Sequence, residues 1–314
     1  MKWEDLATEL RNWGRWGDED ELGTVNFIDA AAVLRGARAI RRGEVISLAA
    51  NFDASGPAAG IAGRFNPQHY MTATPLDGPE QAVRRGSWRY LDDHVVMPLQ
   101  CGTQWDGLSH VYYDDLMYNG FDARQCVKSN GTTRLGIEKM RDGIVSRGVL
   151  LDVARARGVP WMEPGDAISS AELEELAAAH DITVEPGDIL VIRTGWWAKF
   201  LSDRDGATWW RAGSPGLSAA ALPWLHERQV AAIAFDNGAV EVRPDTVNDW
   251  ETPTYSPVHA IALRDMGMPM GEIWDLERLS EACARHQQYE FLLAAAPLPF
   301  TGAVGSPLNP VAVL

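Results

Sequence analysis

Residues 144–154, IVSRGVLLDVA, decide the fold class. The stretch is almost wholly apolar and has the length of a single strand. Such a strand has no face to offer water, so it lies inside a sheet covered on both sides. Two later stretches repeat the pattern: GDILVIRTG (187–195) and VAAIAFDNG (230–238). Helical sequences lie between and after them. SSAELEELAAAH (169–180) opens on Ser169 with Glu172 three residues on, the arrangement of a capping box. SAAALPWLHERQ (218–229) has Ser218 as N-cap, and PVHAIALRDMG (257–267) and LERLSEACARHQQ (276–288) are also helical. YEFLLAAAPLP (289–299) is a last strand. Strands and helices that interleave in this way give an α/β fold.

Upstream the chain is richer in strands and loops. A short helix at about 3–12 leads into the turn-rich NWGRWGDEDELGTVNF (12–27). Residues 28–42 are helical, with Gly43 at the end, and EVISLAANF (44–52) alternates as a strand does. Residues 53–88 carry many Gly and Pro and read as one long irregular loop. β-like segments follow at 89–101 and 106–113. No stretch has the composition of a linker, so residues 1–314 are expected to form a single domain, with 1–27 as an N-terminal extension arm.

Bulk numbers narrow the function classes. The chain has 314 residues, 46% hydrophobic and 23% charged, which is ordinary for a globular protein. Its net charge is −15 and its Lys and Arg are scattered, so nucleic acid is not an expected partner. No apolar run approaches the ~20 residues of a membrane span. The opening MKWEDLATELRNWG lacks the order of a signal peptide, and a cytoplasmic location is expected. The three cysteines are far apart and form neither a disulfide framework nor a thiolate cluster. Thirteen tryptophans suit core and subunit packing or the wall of an aromatic pocket.

The polar stretch QCGTQWDGLSH (100–110) carries the candidate chemistry. Asp106 and His110 are four residues apart and can face one cavity, and Gly102 and Gly107 let the backbone come close to a ligand. A histidine beside a carboxylate is a plausible general base near neutral pH. His259 and Glu272, from a later segment, can complete a metal site or an acid/base pair. His180, His226 and His286 sit on helical patterns and suit structural roles. Arg193 and the Asp236-Asn237 pair end buried strands, where structural pairing and turn formation account for them. No GxGxxG, P-loop or GxSxG motif occurs.

QCGTQWDGLSH also resembles the HxGTHxDxPxH signature of the cyclase family, which includes bacterial kynurenine formamidase, isatin hydrolase and cyclase-like lactam hydrolases. NWGRWGDEDELGTVNF, MYNGF (117–121) and VHAIALRDMGMPMGEIWDLERL (258–279) are similar to blocks of its longer members, in the same order. The resemblance implies a swivelling β/β/α fold, a homodimer or homotetramer, and a divalent metal, zinc or manganese. It makes Asp106 a metal ligand and His110 the acid/base, and it matches His259 and Glu272 to the downstream pair. The two ligand histidines of the signature are Gln100 and Gln104 here, and its Pro is Leu108. A neutral amide oxygen is a weak, hard ligand, so this set suits manganese or magnesium better than zinc. A metal-free pocket is the alternative.

The expected function is hydrolysis of an amide, lactam or related cyclic C–N bond in a small, cyclic or aromatic substrate. Asp106, His259, Gln104 and Gln100 are the expected metal residues, His110 and Glu272 the catalytic pair, and His69, Trp105 and Tyr118 the substrate-binding residues. Two other functions fit the same residues: a polyketide-type aromatic cyclase, and a degenerate member that only binds a small molecule.

Overall fold

A computed structural model describes residues 2–58, 63–76, 90–245, 248 and 256–314. Nine strands build one sheet: β1 (Val45–Ser47), β2 (Gln104–Asp106), β3 (Val145–Asp152), β4 (Ile189–Arg193), β5 (Ala232–Phe235), β6 (Met270–Glu272), β7 (Glu290–Ala294), β8 (Gly305–Pro307) and β9 (Val311–Val313). Their spatial order is β1-β9-β7-β3-β4-β5-β6-β2-β8. The middle four, β3 to β6, are parallel. Antiparallel strands extend the sheet on both sides. Every residue of β4 and β5 is buried, as expected for apolar strands covered on two faces. Ile189, Leu190, Val191 and Ile192 are fully enclosed, each contributing roughly 1.5–3 kcal/mol of burial. The α/β class expected from residues 144–154 is therefore the class observed.

Helices cover the sheet. α1 (Trp3–Glu9) begins the N-terminal arm, and α2 (Ala30–Arg38) starts on Asp29, whose carboxylate accepts from Ala32 N–H. α3 (Ser170–Ala179), α4 (Leu222–Glu227) and α5 (Glu277–His286) follow. Ser169 caps α3 by accepting from Glu172 N–H, but the capping box is only half made. The Glu172 carboxylate instead takes two hydrogen bonds from Arg157. The segment 257–267 is helical, and its last part, Ala260–Met266, is wound as a π-helix, a form often found beside functional sites.

Residues 2–27 do not stand away from the body. Asn12 N–H donates to Asp265 O, Trp13 Nε1 to Arg264 O and Thr24 N–H to Gly267 O, fixing the arm onto the π-helical segment. Other parts differ from the sequence reading. Gln68–Ala73 and Asp92–Val96 pair as an antiparallel ribbon, so the described part of 53–88 is not all irregular. The polar stretch yields only the three-residue β2, after which the chain turns. β8 and β9 were not expected; both are short, and β8 ends on a proline.

Candidate active site

β2 lies between β6 and β8, and this position assembles the site. Gln104 pairs across the ladder with Glu272, and Asp106 with Met270. Side chains alternate along a strand, so Gln104 and Asp106 share one face and Trp105 takes the other. Gly305 of β8 sits opposite Asp106. A Cβ there would fall 2.7 Å from both Gln100 Nε2 and the Trp105 carbonyl oxygen, so glycine lets the strands and the Gln100 amide come this close.

His259 comes from the first turn of the helical segment, after Pro257. Glu241 sets its position. One oxygen of Glu241 accepts from Val258 N–H at 3.1 Å and the other lies 2.6 Å from His259 Nδ1. The same carboxylate thus caps the helix and turns the ring. His259 Nε2 then faces Glu272 Oε1 at 3.2 Å and Asp106 Oδ2 at 4.0 Å. Donor atoms of Asp106, His259 and Glu272 all lie within 4.8 Å of one another, and all three residues are buried. Gln104 Nε2 donates to Glu272 Oε2 at 2.8 Å and to Asp106 Oδ1 at 3.3 Å. His110 follows the turn after β2 and places Nε2 3.7 Å from Asp106 Oδ1.

These groups form the floor of a cavity of about 300 Å³. Arg64, Arg243 and Trp210 line its sides. The Trp210 ring packs against Gly238, where a Cβ would come within 2.4 Å of it. Its Nε1 donates to Pro57 O at 2.8 Å, which fixes the ring. Arg243 bonds to Glu241 and Ser256.

The electrostatics follow from burial and crowding. Burial, helped by the charge of Glu272, pushes the Asp106 carboxyl up, against the pull of His110, His259 and Arg64. Burial is the largest influence on Glu272 and opposes its charge, but the hydrogen bond and charge of His259, joined by Arg64 and His110, together hold it low. Burial works against a charged His259, yet Glu241 and Glu272 together push it up to about 10. Two buried carboxylates aimed at one imidazole make a site that attracts a cation.

The donor chemistry fits a divalent ion. Asp106 Oδ2 and Gln104 Oε1 are buried without a hydrogen-bond partner among the described residues, as is Gln100 Nε2. An ion held by Asp106, His259 and Glu272 would satisfy Asp106 Oδ2, and a half-turn of the Gln104 amide would present its oxygen. The Glu241–His259 contact is the carboxylate–histidine pairing that orients a metal-binding ring.

The structure brings Asp106, His110, Gln104, His259 and Glu272 together, with Gln100 alongside. The three residues expected to bind substrate lie elsewhere. Trp105 is fully buried behind the strand, with Nε1 bonded to Ala295 O and its ring edge-on to Trp274. Tyr118 is fully buried and donates to Asp20. His69 stands on the exposed ribbon beside Asp93. The other singled-out residues have structural partners. Arg193 pairs with Asp152 and Glu277, and Asp236 accepts from Thr194 and Gly195. His180 stacks on Tyr289, and His286 pairs with Glu44. Cys101 is buried, and burial pushes its thiol up, away from nucleophilic use. Glu241, Arg64 and Arg243 were not expected from the sequence, and Trp210 only as one of thirteen tryptophans suited to an aromatic wall.

Comparison with known proteins agrees with this geometry. The model of the family described as "Putative cyclase" matches residues 19–242. The chain belongs to that family. A crystal structure described as a novel cyclase is 39% identical to this chain, covers 98% of it and 99% of its own, and superposes with a TM-score of 0.89. Isatin hydrolase A from Ralstonia solanacearum is 18% identical over 90% of this chain and 94% of its own, with a TM-score of 0.62. A "predicted metal-dependent hydrolase" from Bacillus stearothermophilus is 13% identical over 86% of this chain and 97% of its own, with a TM-score of 0.53. The last two likenesses show the shared cyclase-type α/β fold alone. No curated protein matches. Among the described residues no helix is long and apolar enough to cross a membrane.

Proposed function

We propose that this cyclase-family chain hydrolyses an amide, lactam or related cyclic C–N bond in a small, cyclic or aromatic substrate. The observation that carries the reading is the convergence of Asp106, His259 and Glu272 within 4.8 Å, with His110 beside them on a cavity floor. The fold neighbours that are hydrolases by name support the same class. Asp106, His259 and Glu272 would hold a divalent ion, manganese or zinc, with Gln104 and Gln100 as weak or outer ligands. Such an ion supplies carbonyl polarisation and a more acidic water. His110, whose side chain is one-fifth exposed and lines the cavity, takes the proton from the attacking water and returns it to the leaving nitrogen. One C–O bond forms as the C–N bond breaks. Glu241 keeps His259 in place, and Trp210 shields one wall from water. The partners on this reading are a small-molecule substrate and further copies of the chain, as a dimer or tetramer.

One observation favours a second reading, a protein that binds a small molecule without turning it over. The Gln104 amide already spans both carboxylates, which partly does a cation's work.

Elemental analysis of protein purified without an affinity metal or chelator, joined to product analysis on a panel of cyclic amides, separates the two. Bound metal and ring-opened acid are expected. His110→Ala should lose on the order of 10²–10⁴ in turnover while its circular dichroism is unchanged. Neither bound metal nor product, with manganese or zinc added, would leave the binding reading.

A further inference from the structure

We propose that the cavity takes a small aromatic or cyclic carboxylate, and that Arg64 is the residue that pairs with its negative charge. The inference rests on the hydrolase reading for the role of the floor, and adds to it the class of ligand.

Arg64 is half-buried at the side of the cavity. Its guanidinium has no hydrogen-bond or ion-pair partner among the described residues. Other enclosed arginines are answered by acids: Arg147 by Asp188, Arg193 by Asp152 and Glu277, Arg264 by Asp265. Arg243, across the same cavity, is turned to Glu241 and Ser256. A guanidinium presents five N–H donors in a planar fork that fits a carboxylate with two parallel bonds. Held in a concavity and partly desolvated, it is stabilised by an anion.

The apolar part of the ligand is met by the Trp210 ring, which also lines the cavity and is fixed by its bond to Pro57 O.

The test uses benzoate and its neutral isostere benzamide as probes, titrated calorimetrically into the full chain with and without manganese. Benzoate is expected to bind on the order of tenfold more tightly than benzamide. Arg64→Gln should reduce that preference to within about twofold, and Arg64→Lys should keep part of it. Manganese affinity should be the same in all three proteins, which excludes a collapsed site. A benzoate preference that survives in Arg64→Gln, as when the carboxylate sits on the ion alone, would overturn the proposal. So would equal binding of the two probes by the unmodified protein. Absence of manganese uptake would instead count against the hydrolase reading. The ion-free titrations would still decide the role of Arg64, because its pairing with a carboxylate needs no ion.

Discussion

Glu241 performs two functions with one carboxylate, and only one of them needs its charge. It accepts from Val258 N–H and from the His259 ring, so it fixes the start of the helical segment and the direction of Nε2. Glu241→Gln keeps the shape and one acceptor but loses the charge that holds the ring. Manganese affinity is expected to fall by about 10–100-fold, the usual effect of losing such a partner, and thermal stability to change little. Calorimetric manganese titration beside a melting curve checks this; unchanged affinity would reduce Glu241 to a helix cap. At this scale the sequence was informative where spacing carried the signal. Asp106 and His110 lie in one short motif, and His259 and Glu272 in another. Glu241 lies outside both, one of 43 acidic residues, and becomes distinctive only when the fold sets it against His259. Arg64 was hidden for the same reason, in a Gly- and Pro-rich stretch without a pattern. Trp105 could have been excluded from sequence, because a strand that aims residues 104 and 106 at a site turns 105 away.

Two elements are held by contacts that local sequence patterns do not show. The N-terminal arm is rich in turns and lies against α4 and the π-helical segment. His226 of α4 meets Asn12 Oδ1 at 3.1 Å. Burial, aided by the charge of Arg15, holds His226 below its usual 6.5, with Glu9 opposing. Below pH 6.5 the unfolded chain therefore takes up a proton that the folded chain resists. The stability this neutral histidine contributes is full above 6.5 and is lost as pH falls below it. Melting temperatures from pH 7.5 to 5 should show a smaller acid loss in His226→Gln than in the unmodified protein. Equal slopes would place the acid sensitivity elsewhere. Of the ribbon, Asp92–Val96 lies within the β-like segment expected at 89–101, whereas Gln68–Ala73 escaped notice because it lacks a buried face. Tyr70, Met71, Val95 and Val96 are each about half exposed on it. An isolated two-stranded ribbon is marginal in water, so on the oligomer reading a second copy covers it. Tyr70→Asp with Val96→Asp, which share one face of the ribbon, should lower the mass seen by light scattering while circular dichroism stays the same. An unchanged mass would remove the ribbon from the interface.

Across the whole molecule, the candidate centre lies on the seam where the parallel strands give way to the antiparallel edge. Glu272 belongs to β6, the last of the parallel set, and Asp106 to β2, the first beyond it. His259 reaches the same point from the helical layer. An ion bound there would tie three separate parts of the chain, and folding would be linked to its concentration. At a hundred times its dissociation constant the added stability is ~2.7 kcal/mol, several degrees of melting temperature for a chain of this size. Without the ion the same residues are a liability, because burial and Glu272 both disfavour charge on Asp106. Asp106→Asn removes the unfavourable charge and keeps an oxygen for the Gln104 amide. The variant is therefore expected to melt at or above the temperature of the ion-free unmodified protein and to gain nothing from manganese. The unmodified protein should gain several degrees and lose them again in a chelator. Calorimetric scans of both proteins with manganese, and then with chelator, give the comparison. An equal manganese shift in the variant would place the ion somewhere other than this seam.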